Sequence, residues 1–211
     1  RDACHMYTMR RCAENEHRLV CQKTLTSILL TPDGQFHSFG YNARKHYLSL
    51  CPQEAQHWLY FSNFKKDLYQ HDKLNMDTVL VASNGGKFSA FEILTLSLKF
   101  FKREALEQLT SDAENDCAKQ VIRWVITVPA GWTSSDKQFI RQAAYEAGIA
   151  SSTRQEQLYI VEETEATSVY CRTLQICDRI PQNTVECFVQ GSERQGSSHW
   201  FSEDSTATYF T

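Results

Sequence analysis

The chain has 211 residues, of which 42% are hydrophobic and 12% aromatic, and its formal net charge is −3. That length holds one domain, or one domain and a smaller lobe, with a sizeable core, and the aromatic share excludes wholesale disorder. The slightly acidic balance excludes a basic footprint for nucleic acid, and no apolar run approaches membrane-spanning length, so neither nucleic acid nor a membrane is expected as a partner.

Residues 1 to 22 carry little pattern beyond a strand-like run at Tyr7 to Arg11. Cys4, His5, Cys12, His17 and Cys21 invite a zinc reading, but their spacing fits no closed site, because zinc modules pair their ligands tightly. The expectation there is a polar loop and no metal. The eight cysteines of the chain are scattered singly. With no secretory leader and no Asn-x-Ser/Thr acceptor, they read as free thiols of a reducing, cytoplasmic compartment. The sequence opens at Arg1 without a methionine, which reads as an excerpt of a longer protein.

From Leu25 the signals sharpen. Leu25 to Thr31 predicts a strand, Pro32-Asp33-Gly34 a turn, and Gln35 to Phe39 the returning strand of a hairpin. Asn42 to Leu50 has helical character, and Pro52 to Lys66 predicts a second, aromatic-rich helix bearing Trp58, Tyr60, Phe61 and Phe64. Lys65 and Lys66 at its end suit a solvated face. Met76 to Ala82 alternates, and Asn84-Gly85-Gly86-Lys87 marks the turn of a second hairpin. That Gly-Gly-Lys lacks the spacing of a Walker-type phosphate loop. Phe88 to Leu109 predicts the longest helix, with Phe91, Leu94, Leu98, Phe101 and Ala105 as one stripe, widened by Ile93, Leu96 and Phe100; such a stripe is core packing. Thr110 to Lys119 reads as a polar loop.

The stretch from 121 to 170 organises the rest. Val121 to Val128 looks like a strand buried on both faces, and Pro129 ends it because proline cannot donate to a ladder. Thr133 and Asp136 form a capping box for a helix whose Phe139, Ile140, Ala143, Ala144 and Ala147 recur at helical spacing, with Gly148 as its stop. Leu158 to Val161 is a second short strand. It runs into Glu162-Glu163 and a helix with Ala166, Val169, Tyr170 and Leu174 on one face. Strands alternating with helices predict an α/β fold in which 121–128 and 158–161 are parallel neighbours, with ligands at their carboxyl ends. Pro129 and Glu163 sit at such ends. After Cys177 the pattern decays, and Gly191 to Thr211 reads as a poorly ordered tail.

VITVPAGWTSSDKQFIRQAAYEAGI resembles the segment of the heat shock protein 70 family in which a strand ends in Val-Pro-Ala and a helix ends in Ala-Gly. QLYIVEETEATSVY is similar to the family's next strand. The string Glu163-Thr164-Glu165-Ala166-Thr167-Ser168-Val169-Tyr170-Cys171 is nearer to the divergent 12A/12B branch, which Lys23 to Tyr47 also resembles. The likeness covers roughly residues 5 to 176.

The resemblance implies a partial actin-like (ribonuclease H-like) ATPase lobe: a mixed sheet with flanking helices and a small inserted subdomain. On it, 1–31 are remnant N-terminal strands, 32–90 the small inserted lobe of hairpins and short helices, 91–180 the helix-strand-helix-strand-helix core, and 181–211 the tail. It implies ATP and magnesium as ligands. Glu163 aligns with the acidic residue that orders magnesium-bound water and the attacking water. Lys65 or Lys66 is in the neighbourhood of a phosphate-facing lysine, although the nearest branch places its lysine where Asn63 stands. Pro129 and Lys137 align with a proline and a basic residue that relay nucleotide state to partner domains, Lys137 replacing the usual arginine. Neither phosphate-cradling string, one like Asp-Leu-Gly-Thr-Thr and one like Asp-Gly-Gly-Gly-Thr, occurs in the 211 residues, so weak nucleotide binding or none is expected. The alternative is a non-catalytic module that docks protein partners through the aromatic 47–64 segment.

Overall fold

In the computed structural model the described residues are 24–71, 73–111 and 122–176, with side chains described through 107 and 169 at the ends of the long helices. The expectations for the N-terminal cysteines and histidines, the Tyr7 to Arg11 strand, nearly all of the 110–119 loop and the C-terminal tail lie outside them. Among the cysteines, Cys51 is the one whose side chain is described, and it is a free, exposed thiol.

Strand β1 (Ile28–Leu30) is the centre of a three-stranded antiparallel sheet, flanked by β2 (Phe36–Phe39) and β3 (Leu59–Phe61). The β1–β2 turn is the Pro32-Asp33-Gly34 one, closed by a bond from Gly34 N–H to Thr31 O of 2.9 Å, with Gly34 at φ 76°. The two faces part by alternation. Ile28, Leu30, Phe39 and Phe61 enter the larger core, whereas Leu29 and Tyr60 pack on Ala43, Tyr47 and Trp58. That second face is covered by α1 (Gly40–Ser49). Gly40 makes the corner: its φ is 65°, its N–H bonds Ser27 O at 2.8 Å, and its carbonyl accepts the Ser27 hydroxyl at 3.0 Å. A Cβ there would run into Thr24 Oγ1.

The expected single helix over 52–66 is not formed. It divides into α2 (Pro52–Ala55), strand β3 and α3 (Phe64–Tyr69). Leu59, Tyr60 and Phe61 find ladder partners on β1 and bury their rings, which outweighs a helical preference that is weak for aromatic residues. Asn63, in the left-handed region at φ 49°, separates strand from helix.

A hairpin of β4 (Val79–Val81) and β5 (Lys87–Ser89) follows, with the expected turn at 84–87. The Asn84 amide explains its place: Nδ2 donates to the carbonyls of Gln56 and Trp58 at 2.9 and 3.0 Å, while Oδ1 accepts from Gly86 N–H at 2.9 Å. Helix α4 (Ala90–Ser111) leads out of the hairpin. Beyond it, β6 (Trp124–Val128) and β7 (Leu158–Glu162) pair in parallel, Trp124 opposite Leu158 and Val128 opposite Glu162. Helix α5 (Ser134–Glu146) connects them and α6 (Glu163–Ile176) leaves β7 without a loop. The molecule is therefore α/β, but parallel and antiparallel pairings lie in separate small sheets among the described residues, not in one mixed sheet. Strand β6 also differs from expectation: Trp124, Ile126 and Val128 are buried while Val125 and Thr127 are half-buried, so one face is fully packed. Val169, assigned to the apolar face of α6, is 60% exposed.

Helix α5 has both predicted ends. Gly148 at φ 68° closes a Schellman motif, with Ile149 N–H on Ala144 O at 3.0 Å and Gly148 N–H on Tyr145 O at 2.9 Å. The Lys102 ammonium of α4 then binds Gly148 O at 2.6 Å. At the other end Asp136 Oδ2 accepts from Thr133 N–H and hydroxyl at 2.8 and 2.7 Å. Its Oδ1 accepts from Leu74 N–H at 2.8 Å, and Leu74 belongs to the other core. The two cores also share Phe91, Leu94 and Trp132.

Two outcomes follow. Gly40→Ala is expected to destabilise the chain by about 1–3 kcal/mol through positive-φ strain and the Thr24 clash, measured by urea unfolding. Burial pulls the Asp136 carboxyl up, but the bonds from Leu74 and Thr133 and the Lys73 charge hold it below its ordinary 3.8. The unfolded chain therefore binds the proton more readily, so this stabilisation is complete above pH 3.8 and is lost as pH falls through the lower folded value. Asp136→Asn should cost about 1–3 kcal/mol at pH 7, with the gap from the parent closing in acid; a gap independent of pH would contradict this.

Candidate functional site

The carboxyl ends of β6 and β7 lie side by side because the strands are parallel and in register to Val128 and Glu162. From β6 the chain enters a tight turn at the buried Pro129, whose carbonyl accepts Trp132 N–H at 3.1 Å. From β7 it passes directly into α6, so Glu162 is the last residue of a strand and Glu163 the first of a helix. A carboxylate at a helix N-terminus is favoured by the macrodipole.

Each carboxylate has a cation of its own. Lys65 Nζ of α3 is 2.5 Å from Glu163 Oε1, and Lys137 Nζ of α5 is 2.9 Å from Glu162 Oε1. The capping box that starts α5 places Lys137 in its first turn. The left-handed Asn63 starts α3 two residues before Lys65. Three of the sequence-predicted residues, Glu163, Lys65 and Lys137, thus converge on one junction, with Pro129 directly after Val128 in the adjoining strand. Between the two candidate lysines the structure separates roles: Lys65 meets Glu163, while the exposed Lys66 acts on its neighbour Asp67. Burial raises the Asp67 carboxyl, and His71 and Lys66 oppose that rise.

Three members of the junction were missed from sequence. Tyr69 follows Lys65 by four positions on α3, so both occupy one helix face. Its ring lies 6.1 Å from that of Trp132. Burial and then the Glu163 charge push its phenol well above the ordinary tyrosine range, leaving it neutral. The helical spacing from Lys65 was the signal available for Tyr69. Trp132, packed against both cores, and Glu162 carried no local signal. Within the aromatic 47–64 segment Tyr60, Phe61 and Phe64 are buried at 8%, 1% and 3% exposure, while Leu48 is 70% exposed. Burying them completes the core.

Among the described residues no group of three or more His, Cys, Asp and Glu is arranged to hold a metal, and no helix is long and apolar enough to cross a membrane. The four charges are partly exposed, so each pair contributes little to stability. A double-mutant cycle on Lys65→Met and Glu163→Gln should give a coupling of about 0.5–1 kcal/mol that shrinks in 1 M salt; zero coupling at low salt would contradict the pairing.

No family model matches the chain. Heat shock 70 kDa protein 12A of Mus musculus and that of Homo sapiens are each 48% identical to it over 171 residues, which are 81% of this chain and 25% of theirs. Human heat shock 70 kDa protein 12B is 45% identical over 175 residues, 83% of this chain and 25% of its own. The chain spans about a quarter of the length of these relatives. Identity at that level, over the strings that carry the site, decides the family: the chain belongs to the divergent 12A/12B branch of the heat shock protein 70 family.

Proposed function

We propose that this chain supplies one wall of a nucleotide site in an actin-like ATPase lobe of heat shock 70 type, acting in the cytoplasm with protein partners. The observation that carries the reading is the Lys65–Glu163 pair, joining residues 98 positions apart at the carboxyl end of a parallel strand, where α/β folds place their ligands. The donor chemistry fits: a carboxylate suits the ordering of metal-bound and attacking water, and an ammonium suits a phosphate oxygen. In this assignment Glu163 orients water, Lys65 offsets phosphate charge, and Pro129 with Lys137 forms the relay. The Lys137–Glu162 pair ties α5 to β7, so a displacement at one carboxyl end is felt at the other. Magnesium, when bound with the nucleotide, neutralises charge on the phosphates.

Most affinity for a triphosphate comes from many oriented N–H groups and a metal on the phosphates. The glycine hairpins that supply such groups do not occur in these 211 residues. Magnesium-ATP is therefore expected to bind the purified chain no tighter than about millimolar, roughly 4 kcal/mol, in a calorimetric titration, and Glu163→Ala to leave that value nearly unchanged. In a longer protein that carries both hairpins, the same substitution should lower turnover. A micromolar constant for this chain that depends on Glu163 would contradict the weak-binding reading. Unaltered turnover in the longer protein would overturn the role of Glu163.

A further inference from the structure

Away from this junction, a second cluster of titratable groups sits on the outer face of the three-stranded sheet. The β1–β2 ladder slips between Leu29 and Leu30: Leu29 pairs with Ser38 and Leu30 with Phe36, which leaves His37 as the extra residue of a β-bulge. A bulge re-aims the side chain it carries. The His37 ring lies 4.2 Å from that of His46 on α1 and 5.1 Å, edge-on, from that of Trp58 at the entry to β3; His46 and Trp58 are 5.2 Å apart. His37 Nδ1 also lies 2.9 Å from Ser38 Oγ. Strand β2, helix α1 and the residue before β3 thus meet at one triad of rings, beside the small Leu29, Ala43 and Tyr60 cluster on which Trp58 also packs.

We propose that His37, His46 and Trp58 form a pH-sensitive latch that holds α1 against the sheet while the imidazoles are neutral and loosens it when both are charged. Two unit charges about 4 Å apart repel enough, even at the dielectric of water, to change an equilibrium by about fivefold. His37 is exposed, so water relieves part of this repulsion, but neighbouring carboxylates add little. Strands β1 and β3 carry no charged residue. On α1, Arg44 and Lys45 precede His46 and share its sign, and His57 precedes Trp58. Glu54 of α2 accepts from the backbone N–H of Cys51 at 3.4 Å. Asp33 lies in the β1–β2 turn, three residues beyond the end of β1. Among the described residues no ion pair joins either imidazole to a carboxylate. Trp58 adjoins both imidazoles, edge-on with His37 and tilted with His46, so neither ring is stacked on it. Burial and the His46 charge accordingly lower His37 from its ordinary 6.5. A lowered histidine stabilises the fold above pH 6.5 and ceases to do so as pH falls through its folded value.

An NMR titration of the whole 211-residue chain from pH 8 to 5 tests this, with His37→Gln and His46→Gln assigning the imidazole signals and hydrogen exchange following the α1 amides. His37 should titrate below 6.5 in the parent chain and move back toward it in His46→Gln. Protection of α1 should fall about fivefold between pH 7.5 and 5.5 in the parent and less in either variant. If His46→Gln fails to fold, α1 protection in His37→Gln alone decides, and a pH-dependent loss as large as the parent's would overturn the latch. Titration of His37 at its ordinary value in both chains, or a loss of α1 protection that neither substitution reduces, would overturn the latch.

Discussion

One buried carboxylate fixes the relation between the two halves of this molecule. Asp136 is 5% exposed and spends both oxygens: one closes the N-terminus of α5, the other binds Leu74 N–H. A buried carboxylate is tolerated only when its lone pairs are met by donors. Satisfying it therefore demands that the loop before β4 lie against the start of α5. With the apolar stripe of α4 shared by both cores, this sets α3 near the carboxyl ends of β6 and β7. That proximity makes it possible for Lys65 to reach Glu163.

Local signals carried far. The Pro32-Asp33-Gly34 turn, the Thr133–Asp136 capping box, the Gly148 stop and the parallel β6–β7 pair were legible because each depends on a few consecutive residues or on a clear period. Where pairing decided, the sequence was ambiguous. The spacing of the aromatic residues at 58–64 suits a helix although their intrinsic preference leans to strand, and β1 resolved the choice by offering a ladder and a buried face. The bulge at His37 is likewise set by the register with β1 and leaves no local mark.

The candidate site divides along the same line. Pro129 and Glu163 were placed at strand ends by the strand-helix pattern, and their roles, with Lys65 or Lys66 and Lys137, were named from the family resemblance, one position at a time. Their grouping into two carboxylate–ammonium pairs came from the fold. Tyr69 and Trp132, which link α3 to the turn after β6, depend on contacts between residues far apart in sequence. Paired charges at adjoining strand and helix ends cost little to rearrange, because each is partly exposed. Such pairs can exchange a partner for a ligand at little cost.

If Asp136 and α4 weld the two cores into one unit that presents this junction, the cores must open together. Native-state hydrogen exchange of the parent chain and of Asp136→Asn measures that most directly. The parent should show one common opening free energy for core amides of β1, β3 and β6, β7. The substitution should lower protection in both sets, including Leu74 and the first turn of α5. Separate opening energies in the parent, or loss confined to α5 in the variant, would show two independent cores and contradict the account.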